Sequence, residues 1–92
     1  MNITETPIKF IYVTNSRNRR VTVAYTYDDA NSSIRVATAE CSTKDQFVKK
    51  LGREISSGRL ISHGGTSVPY TKIGGSSYKQ VAEYIRNNVE KF

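Results

Sequence analysis

The sequence predicts an α+β fold: a small antiparallel sheet, made of a three-stranded meander plus one short strand, with two helices on one face. Three β-branched and aromatic segments follow one another, separated by short polar turns. Two later segments have apolar residues at helical spacing and begin after serine residues that can cap a helix. Short connections favour antiparallel pairing, so the predicted order of elements is βββαβα.

Alternation of side chains predicts the three strands of the meander. From Val21 to Tyr27, bulky apolar residues alternate with threonine and alanine, which is typical of a strand with one face on the core. The turns between the strands are rich in Asn, Asp and Ser. The predicted strands cover residues 8–13, 21–27 and 34–40.

The first predicted helix follows the third strand. Ser42 is a suitable N-cap residue, and Gly58 is a suitable C-terminal stop. We expect the apolar stripe of this helix to pack on the sheet, and Gly52 to permit close contact with the alanines of the third strand. The stripe consists of Phe47, Val48, Leu51 and Ile55.

In the last third of the chain, the sequence predicts a glycine-rich loop, a short strand and a second helix. The short strand is expected near residues 70–73, and the helix over residues 78–91. Ser77 is its expected N-cap, with Gln80 placed to complete a capping box. The apolar stripe of this helix consists of Tyr78, Val81, Ile85, Val89 and Phe92, flanked by Ala82.

Length and composition indicate one domain over residues 1–92, with residues 1–7 as a loose N-terminal arm. Cys41 is the only cysteine, so no intramolecular disulfide can form, and a reducing compartment is expected. The N-terminus does not resemble a signal peptide, and no apolar run reaches the ~18–20 residues of a membrane span. We therefore expect a cytoplasmic protein with no membrane partner.

Positive charge is the strongest functional signal. The chain has 14 Lys and Arg against 8 Asp and Glu, a formal net charge of +6, which favours anionic partners such as nucleic acid. The alternative is a solvated helix face in which pairs such as Lys50 and Glu54 neutralise each other. The candidate binding residues lie in the first turn and on the first helix: Arg17, Arg19, Arg20, Lys44, Lys49, Lys50, Arg53 and Arg59.

Aromatic residues of the first two strands form a second candidate site. If they share one exposed sheet face, they can stack on unpaired bases; the alternative is ordinary core packing. The RNA-binding octapeptide of the common RNA-recognition sheet is missing from the sequence. The candidates for stacking are Tyr12, Tyr25 and Tyr27, with Phe10 beside them.

No pattern in the sequence predicts an enzyme. Cys41 and His63 are the only residues of their types, which is too few ligands for a structural zinc site, and no third residue is visible to orient a catalytic pair. The segment from Lys72 to Ser77 can hold a phosphate at a helix start, but a turn and a serine cap explain it as well. We predict neither a cofactor nor a metal.

Residues 41–60 resemble a segment of small accessory proteins of tailed bacteriophages, in which a strand precedes a helix of the form Phe-x-x-Lys-x-Gly-Arg-x-Ile-x-x-Gly-Arg-Leu. The resemblance implies a phage-encoded protein that acts in the bacterial host cytoplasm. Such proteins often bind host machinery, including defence nucleoprotein complexes. The matching residues are Phe47, Lys50, Gly52, Arg53, Ile55, Gly58, Arg59 and Leu60.

Two functional hypotheses follow. In the first, the chain is a non-enzymatic module that binds nucleic acid through its basic helix and first turn. In the second, it is a phage-encoded inhibitor that binds a host protein or a defence nucleoprotein complex. Both require an anionic partner, and neither the kind of nucleic acid nor the oligomeric state follows from the sequence.

Overall fold

A four-stranded antiparallel sheet in the order β1-β2-β3-β4 organises the molecule. The computed structural model describes residues 7–41 and 48–92. The strands are β1 (Lys9–Thr14), β2 (Arg20–Asp28), β3 (Ser33–Glu40) and β4 (Thr66–Pro69). The helices are α1 (Lys49–His63), α2 (Tyr70–Ile73) and α3 (Tyr78–Asn87), and 3₁₀ turns cover Asp29–Asn31 and Val89–Lys91. The predicted α+β class and meander are confirmed.

The strand register decides which side chains share a face. Tyr12 of β1 pairs with Thr22 of β2, whereas Tyr25 pairs with Lys9. Successive residues of a strand point to opposite faces, so residues that pair across strands lie on the same face. Thr22 and Tyr25 therefore lie on opposite faces of the sheet.

The larger core lies between the sheet and α3. Val23, Tyr25 and Val36 from the sheet pack there against Val81 and Ile85 of the helix. Tyr78, which was expected on the same helical stripe, is instead 56% exposed. The capping box predicted for this helix is confirmed, because the Ser77 side chain accepts from the Gln80 backbone and the Gln80 side chain accepts from the Ser77 backbone.

The smaller core lies on the other face, between the sheet and α1. Leu60 packs there against Ala24 and Ala37, with Phe10 at its border. The prediction that both helices cover one face is therefore wrong. The two threonines and the single alanine on this face of β2, Thr22, Ala24 and Thr26, are buried, so this inner strand is covered on both sides.

Helix α1 faces the sheet with a different side from the one predicted. Its buried residues are Ser56 and Leu60, in line with Gly52 at a spacing of four. The expected apolar stripe points away from the sheet: Val48, Leu51 and Ile55 are 50%, 54% and 39% exposed. Phe47 and the predicted cap at Ser42 lie outside the described residues.

Close packing explains this orientation. A Cβ atom built on Gly52 would lie 3.0 Å from the Thr22 Cβ and closer still to its hydroxyl oxygen, so the helix backbone rests directly on β2. The close contact predicted for this glycine is correct, but its partner is Thr22 rather than the alanines of β3. Gly58 does not end the helix, which continues to Gly64, a left-handed C-cap whose N–H donates to the Leu60 carbonyl.

The short fourth strand lies earlier than predicted. Thr66–Pro69 pairs with β3, and residues 70–73, the predicted strand, form the single helical turn α2. Proline has no N–H for a further ladder bond, so the strand ends at Pro69. The N–H of Tyr70 instead donates to the carbonyl of Ser32, in the β2–β3 turn.

The predicted N-terminal arm is described only at Pro7, whose carbonyl accepts a hydrogen bond from the Thr26 hydroxyl. Residues 1–6 lie outside the described part. Within residues 7–41 and 48–92, each helix is too short or too polar to cross a lipid bilayer.

The two glycines inside α1 provide a matched test of this packing. Replacing Gly58 with Ala is expected to raise the free energy of unfolding by about 1 kcal/mol, because alanine favours helix and no atom of residues 7–41 or 48–92 lies within 4 Å of the new Cβ. Gly52→Ala is expected to lower it by about 1–3 kcal/mol, because the new methyl group overlaps Thr22. Urea denaturation followed by circular dichroism measures both; equal stabilisation by the two would contradict the packing of α1.

A buried carboxylate fastens the β2–β3 hairpin to the end of α1. The Oδ2 atom of Asp28 accepts from Asn31 at 2.8 Å and from Arg35 at 3.3 Å, and Arg35 also donates to the Gly64 carbonyl. The hydrogen bond from Asn31, followed by the charge of Arg35, lowers the pKa of Asp28.

A lowered pKa makes this carboxylate a source of pH-dependent stability. Its ionised form stabilises the fold above the pKa of the unfolded chain, about 3.9, and that stability is lost as pH falls through the folded pKa. Asp28→Asn is expected to destabilise the protein at neutral pH and to flatten the acid limb of the stability profile. Urea denaturation from about pH 2 to 7 measures this. An unchanged acid limb would contradict the assignment. Glu90→Gln is measured as a control, because the pKa of Glu90 is also lowered and this carboxyl contributes to the acid limb as well.

Candidate binding surface on helix α1

Two basic side chains of α1 contact one tyrosine on the edge strand β1. The Lys49 ammonium lies 5.0 Å from the centre of the Tyr12 ring, a cation–π distance. The Arg53 guanidinium donates to the Tyr12 hydroxyl at 3.0 Å. Lys50 is exposed beside them on the same helix. We call Tyr12, Lys49, Lys50 and Arg53 the basic flank.

The first turn does not extend the basic flank. Arg17 and Arg19 form ion pairs with Glu40 at 2.9 and 3.1 Å. Arg17 and Glu40 line a small cleft with Val89 and Glu90, which belong to the C-terminal segment on the α3 side of the sheet. A backbone hydrogen bond from Ser16 to Glu90 ties this turn to the same segment and lowers the pKa of Glu90.

The remaining predicted cations, Arg20, Arg59 and Lys44, do not form one group. Arg20 is exposed and shares the α1 face of β2 with Thr22, so it lies on the same side as the basic flank. Arg59 donates to the Thr38 carbonyl at 2.7 Å and is directed toward β3, away from Tyr12. Lys44 lies outside the described residues. The sheet therefore separates Arg17 and Arg19, but not Arg20, from the cations of α1.

The predicted aromatic platform is not a single surface. Phe10 and Tyr12 lie on the α1 face, whereas Tyr25 and Tyr27 lie on the α3 face. Tyr25 is 0% exposed, and burial raises the pKa of its hydroxyl, so it cannot stack on a base. Tyr27 is half-buried between Tyr25 and Tyr70, with ring centres 6.1 and 6.4 Å away. Tyr12 alone among the three predicted tyrosines borders the cations.

The other sequence candidates are explained by local structure. Cys41 follows β3, and its N–H donates to the Arg20 carbonyl. His63 ends α1 beside the opposite end of β3. At ~3.3 Å per residue of strand, the two residues are about 20 Å apart. The loop that precedes Ser77 is bound by its own helix, since the Gln80 side chain donates to the Gly74 carbonyl. Residues 7–41 and 48–92 contain no group of three side chains suited to a metal.

A second exposed surface of α1 escaped the sequence analysis because its residues were assigned to the core. At 3.6 residues per turn, positions 48, 51, 55, 58 and 62 fall on one side of the helix. That side lies next to Arg59 and opposite Arg53, so it is distinct from the basic flank. The small residues at a spacing of four, Gly52 and Ser56, were the signal that could have found it. We call Val48, Leu51, Ile55, Gly58 and Ser62 the outer stripe.

Comparison with known proteins adds no further assignment. No protein-family model, curated protein or solved structure matches the chain. The case for a function therefore depends on the chemistry of these two surfaces.

Proposed function

We propose that this protein is a non-enzymatic binding module that holds nucleic acid against the basic flank of α1. The observation that carries the proposal is the convergence of Lys49 and Arg53 on Tyr12, beside the exposed Lys50. Ammonium and guanidinium groups bind phosphate oxygens, and an adjacent aromatic ring offers a surface on which a base can stack.

The charge distribution supports the same proposal. Within Lys49–His63, three of the four cations belong to the basic flank, and Glu54 is the single carboxylate. Arg53 uses one of its five N–H donors on Tyr12, and the others point in the fork geometry that suits phosphate. Arg20 extends positive charge along the same face of the sheet. Arg17 and Arg19 are left out of this site because they pair with Glu40 away from the basic flank.

A second function is favoured by a different observation, the exposure of the outer stripe. Aliphatic side chains gathered on one exposed face are typical of protein contact. We propose on this ground that the protein also binds a host protein. With the resemblance to phage accessory proteins, this makes it a candidate phage-encoded inhibitor of a host factor or defence complex in the bacterial cytoplasm.

Salt dependence tests the nucleic-acid function. We expect fluorescence-anisotropy titrations of the protein with labelled DNA and RNA, single- and double-stranded, to give affinities that fall steeply with salt. Lys49→Ala with Lys50→Ala removes two phosphate contacts, so the slope of log K against log salt should decrease by about 0.7–0.9 for each. Absence of binding at low salt, or a slope equal to that of the native protein, contradicts the proposal.

Lys79→Ala is the control for a charge lost outside the basic flank, and its effect is compared with that of each α1 lysine. Lys79 is exposed on α3, on the opposite side of the sheet, and its loss changes the net charge without touching the basic flank. Its effect on the slope should be near zero. An equal effect of the control and the α1 variants would indicate general charge attraction rather than a site.

Two substitutions of Tyr12 distinguish base stacking from phosphate binding. Tyr12→Phe keeps the ring but removes the hydroxyl that accepts from Arg53, whereas Tyr12→Leu removes the ring as well. If a base stacks there, we expect Leu to weaken single-strand binding by about 1–3 kcal/mol relative to Phe, with duplex binding unaffected. Equal single-strand affinities of the two variants in anisotropy titrations would show that Tyr12 makes no base contact.

A further inference from the structure

We propose that the basic flank takes single-stranded nucleic acid, DNA or RNA, and discriminates against the duplex. This inference rests on the proposed nucleic-acid function and names the form of the polymer that the flank accepts. Three features of the structure support it: the side of α1 that carries the cations, the closeness of the cations to Tyr12, and the position of Tyr12 on an edge strand.

The first feature is the side of α1 on which the cations lie. Lys49 and Arg53 reach Tyr12, so they lie along the border between the helix and β1. The outer side of the helix is instead the aliphatic outer stripe, bordered by Glu54 and by Arg59, whose guanidinium is bound to the Thr38 carbonyl. A helix that reads a duplex lies in the major groove, where its protruding side meets base edges and phosphates. The outer side of α1 is unsuited to that position.

The second feature is the closeness of the cations to the aromatic ring. The Lys49 ammonium lies 5.0 Å from the centre of the Tyr12 ring, and the Arg53 guanidinium lies 3.0 Å from its hydroxyl. The ammonium is carried on a flexible stem, so it can move from the ring to a phosphate. One nucleotide can therefore place its phosphate on these cations and its base on the ring. In a duplex both faces of each base are covered by the neighbouring pairs, so only an unpaired base can make this contact.

The third feature is the position of Tyr12 on β1, at an edge of the sheet. Helix α1 packs on β2 and β3 through Gly52 and Leu60, so its cations border β1 from one side only. On the other side, no strand formed by residues 7–41 and 48–92 pairs with β1. Single-strand grooves in proteins combine cations that follow the backbone with aromatic rings that hold the bases. An extended strand laid along this edge meets both groups at the basic flank.

Probes of one sequence in two forms test the proposal. The full chain is titrated by fluorescence anisotropy with a labelled strand of about 12 nucleotides and with the same strand annealed to its complement, in DNA and in RNA. We expect the single strand to bind about tenfold or more tightly than the duplex, because only an unpaired base can stack on Tyr12. A preference shown with only one of the two sugars supports the proposal and identifies the sugar. Equal affinities, or a tighter duplex, overturn it.

A strand without bases separates stacking from phosphate contact. An abasic strand of the same length keeps every phosphate but has nothing to stack on Tyr12. It should bind about tenfold more weakly than the natural strand. Undiminished affinity for the abasic strand overturns the proposal, because the single strand would then be held by its charge alone.

Two neighbouring substitutions locate the strand on α1. Lys50→Ala removes a cation of the basic flank and is expected to weaken single-strand binding about fivefold at about 0.1 M salt. Leu51→Glu is the matched control: it changes the net charge by the same amount, but on the outer stripe, and should alter the affinity by no more than about twofold. Both positions are exposed, so both variants should keep the fold, as circular dichroism checks. Equal losses from the two overturn the proposal, because nucleic acid would then contact the outer side of the helix.

Failure of this inference and failure of the proposed function give different results. If no probe binds at low salt, the nucleic-acid function itself is wrong, and the inference is overturned with it. If the duplex binds as tightly as the single strand and Lys50→Ala weakens both, the basic flank holds nucleic acid without selecting single strands. That second result overturns the inference alone.

Discussion

The contact between Gly52 and Thr22 is the constraint on which the rest of the structure depends. The absence of a side chain at Gly52 lets the backbone of α1 rest directly on β2. Ser56 and Leu60 then continue the buried side, and the small core with Ala24 forms beneath them. With that side fixed, the helical repeat dictates where every other side chain of α1 points.

Two surfaces follow from this one orientation. On one side of α1, Lys49 and Arg53 reach the edge strand and converge on Tyr12. On the other side, Leu51 and Ile55 remain exposed beside Arg59. A helix turned by a third of a revolution would have buried these aliphatic residues and separated the cations from Tyr12. The same packing contact thus creates the basic flank and the outer stripe, and keeps the two apart.

Much of the architecture could be predicted, and less of the site. The meander and the capped α3 are confirmed because alternation, turn residues and the Ser77–Gln80 pair are local signals. The predicted position of β4 is wrong. The strand ends at Pro69, and the glycine-rich sequence around it gave no signal for a strand there. Among the candidate tyrosines, only Tyr12 borders the cations, because the pairing register divides Tyr12 and Tyr25 between faces.

The sequence by itself determined the α+β class, the positive charge and the amphipathic character of α1, because composition and periodicity are properties of the chain alone. Only the tertiary structure decided that the helices lie on opposite faces, that Arg17 and Arg19 pair with Glu40, and that the apolar side of α1 faces outward. The physical reason is packing. Periodicity shows that Leu51 belongs to the apolar side of a helix. The side that is buried is selected by the fit of Gly52 on Thr22, two residues far apart in the chain.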